Sequence, residues 1–310
     1  MTTVTHAASA RERTVHYRIA MDTTVIVETI SALPASEVEA RVERAFGWFT
    51  QVEACCSRFD PESELSRLCD RPGEPVKVSN LLGRALAFAL AVAADSGGAF
   101  DPTIGDSMVR AGFSENYRSA EVVVPRSADR PNFQDVAFDS TGSEVTLLRK
   151  LTLDLGAVAK GLAIDLAARE LEGLDGFVIN AGGDMYASGI NALGEPWAIG
   201  VRDPRDLDML ADTFYVGGAA VCTSGDYERT SAANPTRHHL LDPRTRVSAQ
   251  AAASVTVIAP TAMAADALAT AAFVLGPRDG MAFLERNGVD GLIITPDGER
   301  HETPDLEVYR

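Results

Sequence analysis

An acid and a lysine six residues apart, Asp154 and Lys160, stand around the predicted start of a helix in the run Leu153-Asp154-Leu155-Gly156-Ala157-Val158-Ala159-Lys160-Gly161. Helix-start N–H groups attract anions and a lysine adds a point charge, so this pattern can hold a phosphate. The same residues serve equally well as a helix cap and a solvated first-turn lysine. Asp266 and Thr270 lie four apart on another predicted helix, which puts both side chains on one face. With a backbone carbonyl they can supply hard oxygen ligands to Mg²⁺, or they can be an interior polar pair. The segment Asn180-Ala181-Gly182-Gly183-Asp184 follows a predicted strand, where glycines let the backbone turn tightly and approach a ligand. A strand-end Gly-Gly is also commonly a simple turn.

Of the five histidines, His6, His16 and His301 lie towards the chain ends and are read as structural or solvated. His238 and His239 are adjacent. On an extended strand their side chains face opposite sides, so one of them at most faces a given pocket, where a histidine suits proton transfer near neutrality. Phe59 and Tyr227 offer flat surfaces for a ring, or simply core. P-loop, zincin and nucleophile-elbow patterns (G-x-x-x-x-G-K-[ST], H-E-x-x-H, G-x-S-x-G) do not occur.

These groups need elements to position them. Arg13–Ile30 alternates and predicts one strand or a tight pair, and Ser36 with Glu39 predicts a capping box opening a helix that carries Val38, Val42, Ala45, Phe49, Val52 and Cys56. A second helix is predicted from Ser79 to Asp95, ended by Gly97-Gly98. Two strands around Thr141-Gly142-Ser143, a helix over 157–174 and a strand over 176–180 follow, an order that suggests a crossover. Further strands are predicted at 197–201, 213–222, 238–241, 254–258 and 289–295, with helices at 263–275 and 278–287. This irregular order favours α+β layers over a doubly wound parallel sheet. With 310 residues, 46% of them apolar, the chain can bury a large core without disulfides, so Cys55, Cys56, Cys69 and Cys222 are read as reduced thiols. A net charge of −16 makes nucleic acid and anionic membranes poor partners. No secretory signal and no apolar run long enough to span a bilayer is found, so the expected location is cytoplasmic, without a membrane anchor.

Seven segments in order carry a resemblance: Ser57-Arg58-Phe59 with Ser63 to Leu68, Gly98-Ala99-Phe100-Asp101-Pro102, Asp154 to Gly161, Asn180 to Asp184, Thr223 to Tyr227, His239 to Thr245, and Ala265 to Thr270. From about residue 20 to residue 295 the chain resembles the ApbE-type FAD:protein FMN transferase family. The resemblance implies an α+β fold of mixed sheets packed with helices, ApbE-like (T-fold-like), as one domain over 13–310 after a disordered 1–12. It implies an enzyme that takes FAD as substrate with Mg²⁺, joins FMN through a phosphoester to a Thr or Ser of an acceptor protein, and releases AMP. The alternatives are FAD hydrolysis to FMN and AMP, and FAD binding without chemistry. Met21, Phe59, Ala99, Phe100, Asp101, Asp154 and Lys160 would line the FAD site, with Asn180, Gly182, Gly183 and Asp184 nearby. The Ala157 carbonyl, Asp266 and Thr270 would hold Mg²⁺, and His239 would activate the acceptor hydroxyl. The chain also departs from the family pattern. Met-Gly-Thr is Met21-Asp22-Thr23, which sets a carboxylate beside the expected flavin, Arg246 and Cys69 replace a usual Gly and Asn, and Ala269 replaces a common acidic residue.

Overall fold

Val25, Val27 and Thr29 are buried at every second position of the strand Thr23–Ser31, so one face of this strand is committed to the interior. The computed structural model describes residues 11–115, 122–139, 141, 143–231 and 234–310. Eight strands form the principal sheet, in the spatial order Glu12–Ala20, Thr23–Ser31, Gly176–Ala181, Asp184–Gly189, Gly218–Gly225, Ser254–Ala259, Asp290–Ile294 and Arg300–Glu302. All neighbours pair antiparallel.

The helices are α1 (Ala35–Cys56), α2 (Glu64–Cys69), α3 (Asn80–Asp95), α4 (Gly105–Arg110), α5 (Gly156–Glu170) and α6 (Ala262–Arg286). Val25, Val27, Val255, Val257 and Ile293 pack with α1, α3, α5 and α6 in the larger core. The opposite face, with Ile30, Ala187, Ile258 and Leu292, is covered by Trp197, Ile199, Phe214 and Val216 from a two-stranded sheet. The architecture is α+β, as expected. No helix among the described residues is long and apolar enough to cross a membrane.

Several expectations change in detail. The pair predicted over 13–30 is a hairpin whose two turn residues, Met21 and Asp22, both have positive φ, 51° and 60°. The first helix begins at Ala35 behind Pro34, with no side-chain cap bond, so Ser36 and Glu39 make no capping box. The crossover does not form. The strand before α5, Glu144–Leu147, belongs to a separate three-stranded sheet, and Gly176–Ala181 pairs antiparallel on both sides. The run 213–222 breaks at Gly217 into two strands of different sheets. The predicted strand over 238–241 ends at His238. Helices 263–275 and 278–287 are the two parts of α6, broken at Gly276 (φ 78°) before Pro277. All four cysteines are free and buried. Of the disordered stretch expected over 1–12, residues 1–10 lie outside the described residues, while Glu12 opens the first strand, and Gly142 likewise lies outside them.

The contact that matters most for the site is between α5 and α6. Gly161 faces the start of α6 so closely that a Cβ there would overlap Met263 Cα and the Ala262 carbonyl. One turn on, the Asp165 carboxylate accepts from the backbone N–H groups of Ala262 at 2.7 Å and Met263 at 3.1 Å, satisfying two donors left open at the start of α6. Burial pushes the Asp165 carboxyl up to about 6, against those two hydrogen bonds. An unfolded aspartate ionises near pH 4, so ionised Asp165 costs the fold nothing below that pH and progressively more up to about pH 6. The difference in unfolding free energy, wild type minus Asp165→Asn, should therefore fall by up to about 3 kcal/mol between pH 4 and pH 7. Urea denaturation of both proteins across that range measures it, and a pH-independent difference would contradict it.

Candidate active site

The antiparallel registers bring several turns to one end of the principal sheet. Ala20 pairs with Thr23 across the Met21-Asp22 turn, and Ala181 pairs with Asp184 across Gly182-Gly183. Val25 pairs with Ala181, so these turns lie side by side. The strand Gly218–Gly225 pairs with Met185 through Val221 and continues past it, carrying Thr223 and Ser224 to the same end. Gly182 has φ 67°, and a Cβ on it would meet Thr23 Oγ1 at 2.6 Å, so both conformation and space require glycine.

A cleft of about 370 Å³ opens there. Phe59, Ala99, Phe100, Asp101, Asp154, Ala157, Lys160, Gly182, Asp184, His239, Asp266 and Thr270 line it. Met21 lines a smaller recess of about 100 Å³ that shares Asp22, Arg58, Phe59, Asp154, Gly156, Lys160 and Arg229 with the cleft. Asn180 and Gly183 line neither. The Asn180 Oδ1 accepts from the Gly183 N–H at 2.9 Å, so this side chain holds the turn.

At the floor of the cleft the Lys160 ammonium bridges two buried carboxylates, bonding Asp184 and lying 3.1 Å from Asp266 Oδ2. Lys160 is largely buried and paired, which removes the reading as a solvated first-turn lysine. Burial opposes the Lys160 charge, yet the two aspartates more than offset it and raise its pKa. Asp266 is pushed up to about 7 by burial and by the charge of Asp184, with Lys160 opposing. Two carboxylates thus share one ammonium, and the cluster keeps a surplus negative charge.

Thr270 Oγ1 lies one helical turn from Asp266 and 3.2 Å from Ser224 Oγ. The backbone of α5 departs from helical geometry at Ala157 (φ −93°, ψ 17°) beside the same cleft. Hard oxygen donors with a charge deficit fit a divalent cation. Among the described residues no three His, Cys, Asp or Glu side chains converge as a metal-holding group, so such an ion would need hydroxyl, carbonyl and water oxygens as well.

Asp154 is held from two sides. Its Oδ1 accepts from the Gly156 N–H at 2.8 Å at the start of α5, and its Oδ2 lies 2.8 Å from Arg58 Nε in the cleft wall. Arg58 is buried, donates to the Phe113 carbonyl at 2.7 Å and covers one face of Phe59 at 4.0 Å. No role was foreseen for Arg58, although a basic residue ending a strongly amphipathic helix beside an aromatic is a recognisable pattern. Asp101 accepts from the backbone and hydroxyl of Thr103 and from the Phe133 N–H, so it shapes the wall through its own loops. Tyr227 lines neither recess and lies against Gly225.

The two histidines face different surroundings, with only His238 on the strand. His238 is buried, donates from Nε2 to the Ala249 carbonyl at 2.8 Å and meets Phe273 edge-on. His239, just past the strand end, lines the cleft, with its backbone N–H held by the Arg229 carbonyl at 3.1 Å and its ring edge-on to Phe113. Burial, then the charges of Arg229 and His238, push His239 down to about 3.

The departures from the family pattern also find places. Arg246 holds φ 65° and ties its turn down by donating to Ser107 Oγ at 2.8 Å and the Pro131 carbonyl at 2.6 Å. Cys69 is core, accepting from the Leu153 N–H at 3.4 Å. Ala269 is fully buried, without space for an acid to reach solvent.

An antiparallel sheet backed by helices, with a lysine-bridged carboxylate pair and a histidine gathered at one sheet end, defines an α+β protein with a chemically equipped cleft at that end. That class is the ApbE family, whose model matches residues 21–293, and the chain belongs to it. It is 35% identical over 294 residues to the FAD:protein FMN transferase of Treponema pallidum, covering 87% of this chain and 81% of that one. The protein of the same name from Haemophilus influenzae is 31% identical, with 77% and 73% covered. Among solved structures, the ApbE protein of Thermotoga maritima superposes with a TM-score of 0.86 at 30% identity over 96% of this chain and 99% of that one. The apo flavinyl transferase ApbE of Pseudomonas stutzeri does so with 0.81 at 27% identity, over 96% and 97%.

Removing the lysine should expose the charge surplus directly. With chelator present at pH 8, Lys160→Met should lose about 3–5 kcal/mol of stability, because two buried carboxylates are left without a cation. Adding Asp184→Asn should recover much of it. Equal stability of wild type and Lys160→Met in urea would show that the ammonium is not what holds the pair.

Proposed function

We propose that this protein is an FAD:protein FMN transferase that works with Mg²⁺, moving the FMN half of FAD onto a Thr or Ser hydroxyl of an acceptor protein and releasing AMP. Family membership and relatives bearing that name support the activity. The observation that carries the reading for this chain is the meeting, in one cleft, of a charge-deficient Asp184–Lys160–Asp266 cluster with His239 and an aromatic wall.

In this reading the acceptor hydroxyl oxygen bonds to the phosphorus on the FMN side, and the bond from that phosphorus to the AMP oxygen breaks. The hydroxyl proton passes to the His239 imidazole, and AMP leaves carrying the electron pair of the broken bond. Asp266, Thr270 and the Ala157 carbonyl would hold Mg²⁺, which when bound neutralises charge on the pyrophosphate and on the departing AMP. Phe59 offers its free face to a ring of FAD, the other being covered by Arg58. Ala99 and Phe100 add apolar wall, Asp154 keeps Arg58 in place, and Met21 closes the adjoining recess.

His239 is neutral at pH 7, as a proton acceptor must be, but a group held down to about 3 is a weak base. A pyrophosphate beside Arg229 cancels part of the positive field acting on it and raises its basicity when substrate is present.

His239→Ala should keep its affinity for FAD and lose about 10²–10⁴-fold in FMN transfer to a Thr-containing acceptor peptide. His238→Ala should lose stability and keep transfer chemistry, since His238 bonds to Ala249 inside the core. Single-turnover mass spectrometry of the peptide, with parallel AMP release and melting temperatures, separates these roles. Full transfer by His239→Ala would refute the assignment, and AMP release without modified peptide would favour hydrolysis. Asp266→Ala should remove the dependence of turnover on added Mg²⁺ together with most of the turnover. Normal FAD turnover at limiting Mg²⁺ would contradict the cation assignment.

A further inference from the structure

Asp22 is the one departure from the family pattern that stands in the site itself, and its surroundings ask for a partner. The two-residue turn that carries it fixes its direction: Ala20 pairs with Thr23, and Met21 and Asp22 both sit in the left-handed region. Aspartate is one of the few side chains that tolerate that region, so the turn accepts it and leaves its carboxylate free for another role. The Asp22 Oδ1 is buried and has no hydrogen-bond partner.

Of the cations that line the same recesses, two have carboxylate partners, while Arg229 shares both recesses and the Arg58 Nη1 is itself buried without a partner. Arg58 is bound to Asp154 and the Phe113 carbonyl, and Lys160 to Asp184 and Asp266. Asp22 lines both the cleft and the smaller recess, at the place where Phe59 also borders both.

We infer that Asp22 is a specificity-determining residue, its carboxylate accepting a hydrogen bond from a neutral N–H or O–H donor of the bound dinucleotide. This rests on the FAD reading above and deepens it. An ionised carboxylate has acceptor oxygens only, so it selects a donor and rejects phosphate oxygens. The donor chemistry is available in either half of FAD: a ring N–H and ribityl hydroxyls in the flavin half, an exocyclic amine and ribose hydroxyls in the adenine half. On charge alone the carboxylate would only repel the phosphates, and Asp22→Gly would bind FAD more tightly. The buried, unpartnered oxygen predicts the opposite.

The test is calorimetric titration of wild type, Asp22→Gly and Asp22→Asn with FAD, with FMN and with ADP, together with melting temperatures. Asp22→Gly relieves the left-handed conformation and removes an unsatisfied buried oxygen, so it should melt no lower than wild type. It should nonetheless bind FAD about tenfold or more weakly, the loss expected for a hydrogen bond to a charged group. Asp22→Asn, which tolerates the same turn and keeps one acceptor oxygen, should recover part of that loss. The weakening should reappear with FMN and not ADP if the flavin half supplies the donor, and with ADP and not FMN if the adenine half does. Wild type that binds no FAD would overturn the functional reading. Wild type that binds FAD, with Asp22→Gly binding equally or more tightly, would overturn the role of Asp22 alone, as would equal losses with FMN and ADP.

Discussion

The close approach of α5 to the start of α6 is the constraint on which the rest of the site depends. Gly161 lets the two backbones touch, and Asp165 closes the first N–H groups of α6 from the side of α5. Lys160 precedes Gly161, and Asp266 lies one turn into α6, so the contact that packs the helices also delivers an ammonium to a carboxylate inside the core. A bulkier residue at 161 would push Ala262 and Met263 away and lengthen that pair, whatever the chemistry of Lys160 and Asp266 themselves. Backbone packing therefore sets the charge geometry here.

The sheet supplies the second carboxylate by an independent route. Asp184 begins the strand after the Gly182-Gly183 turn, and Asn180 fixes that turn through its backbone. Because the strands are antiparallel, turns recur at alternate ends of the sheet, and those at Met21-Asp22 and Gly182-Gly183 fall at the same end, beside the exit of Gly218–Gly225. Helix starts and strand turns then face each other across the cleft. The start of α5, at Gly156 and Ala157, lies there as well, within a protein whose net charge is −16.

Much of the site was legible because it obeys local periodicity. Asp266 and Thr270 share a face at helical spacing, and His238 and His239 diverge at strand spacing. Neither inference needs tertiary knowledge, and the structure gives both pairs those dispositions. The partners of Lys160 were not legible, since Asp184 and Asp266 are 24 and 106 residues away and only the pairing of sheet and helices makes them neighbours. The crossover expected around α5 failed for the same reason: strand, helix, strand in sequence does not say which sheet each strand joins, and here they join different ones. Arg58 escaped notice because its importance lies in burial. An arginine enclosed beside an aromatic must find acceptors, and those it finds, Asp154 and the Phe113 carbonyl, are 96 and 55 positions along the chain. The Asn180 amide misled in the other direction, since an asparagine before Gly-Gly looks ready for a ligand and is instead spent on its own turn.

Two groups of the cleft are held towards their neutral forms, and burial is the first cause for both. On the floor, Asp184 and Asp266 share Lys160, and burial, then the charge of Asp184, raises Asp266 to about 7. Around His239, burial first and then the charges of Arg229 and His238 hold the imidazole down to about 3. Helix packing holds Lys160 and Asp266 together, and the Arg229 carbonyl holds the His239 backbone N–H. The cleft therefore sets a lysine-bridged carboxylate pair beside a buried, neutral imidazole, two groups whose ionisation depends on what shares the cleft with them.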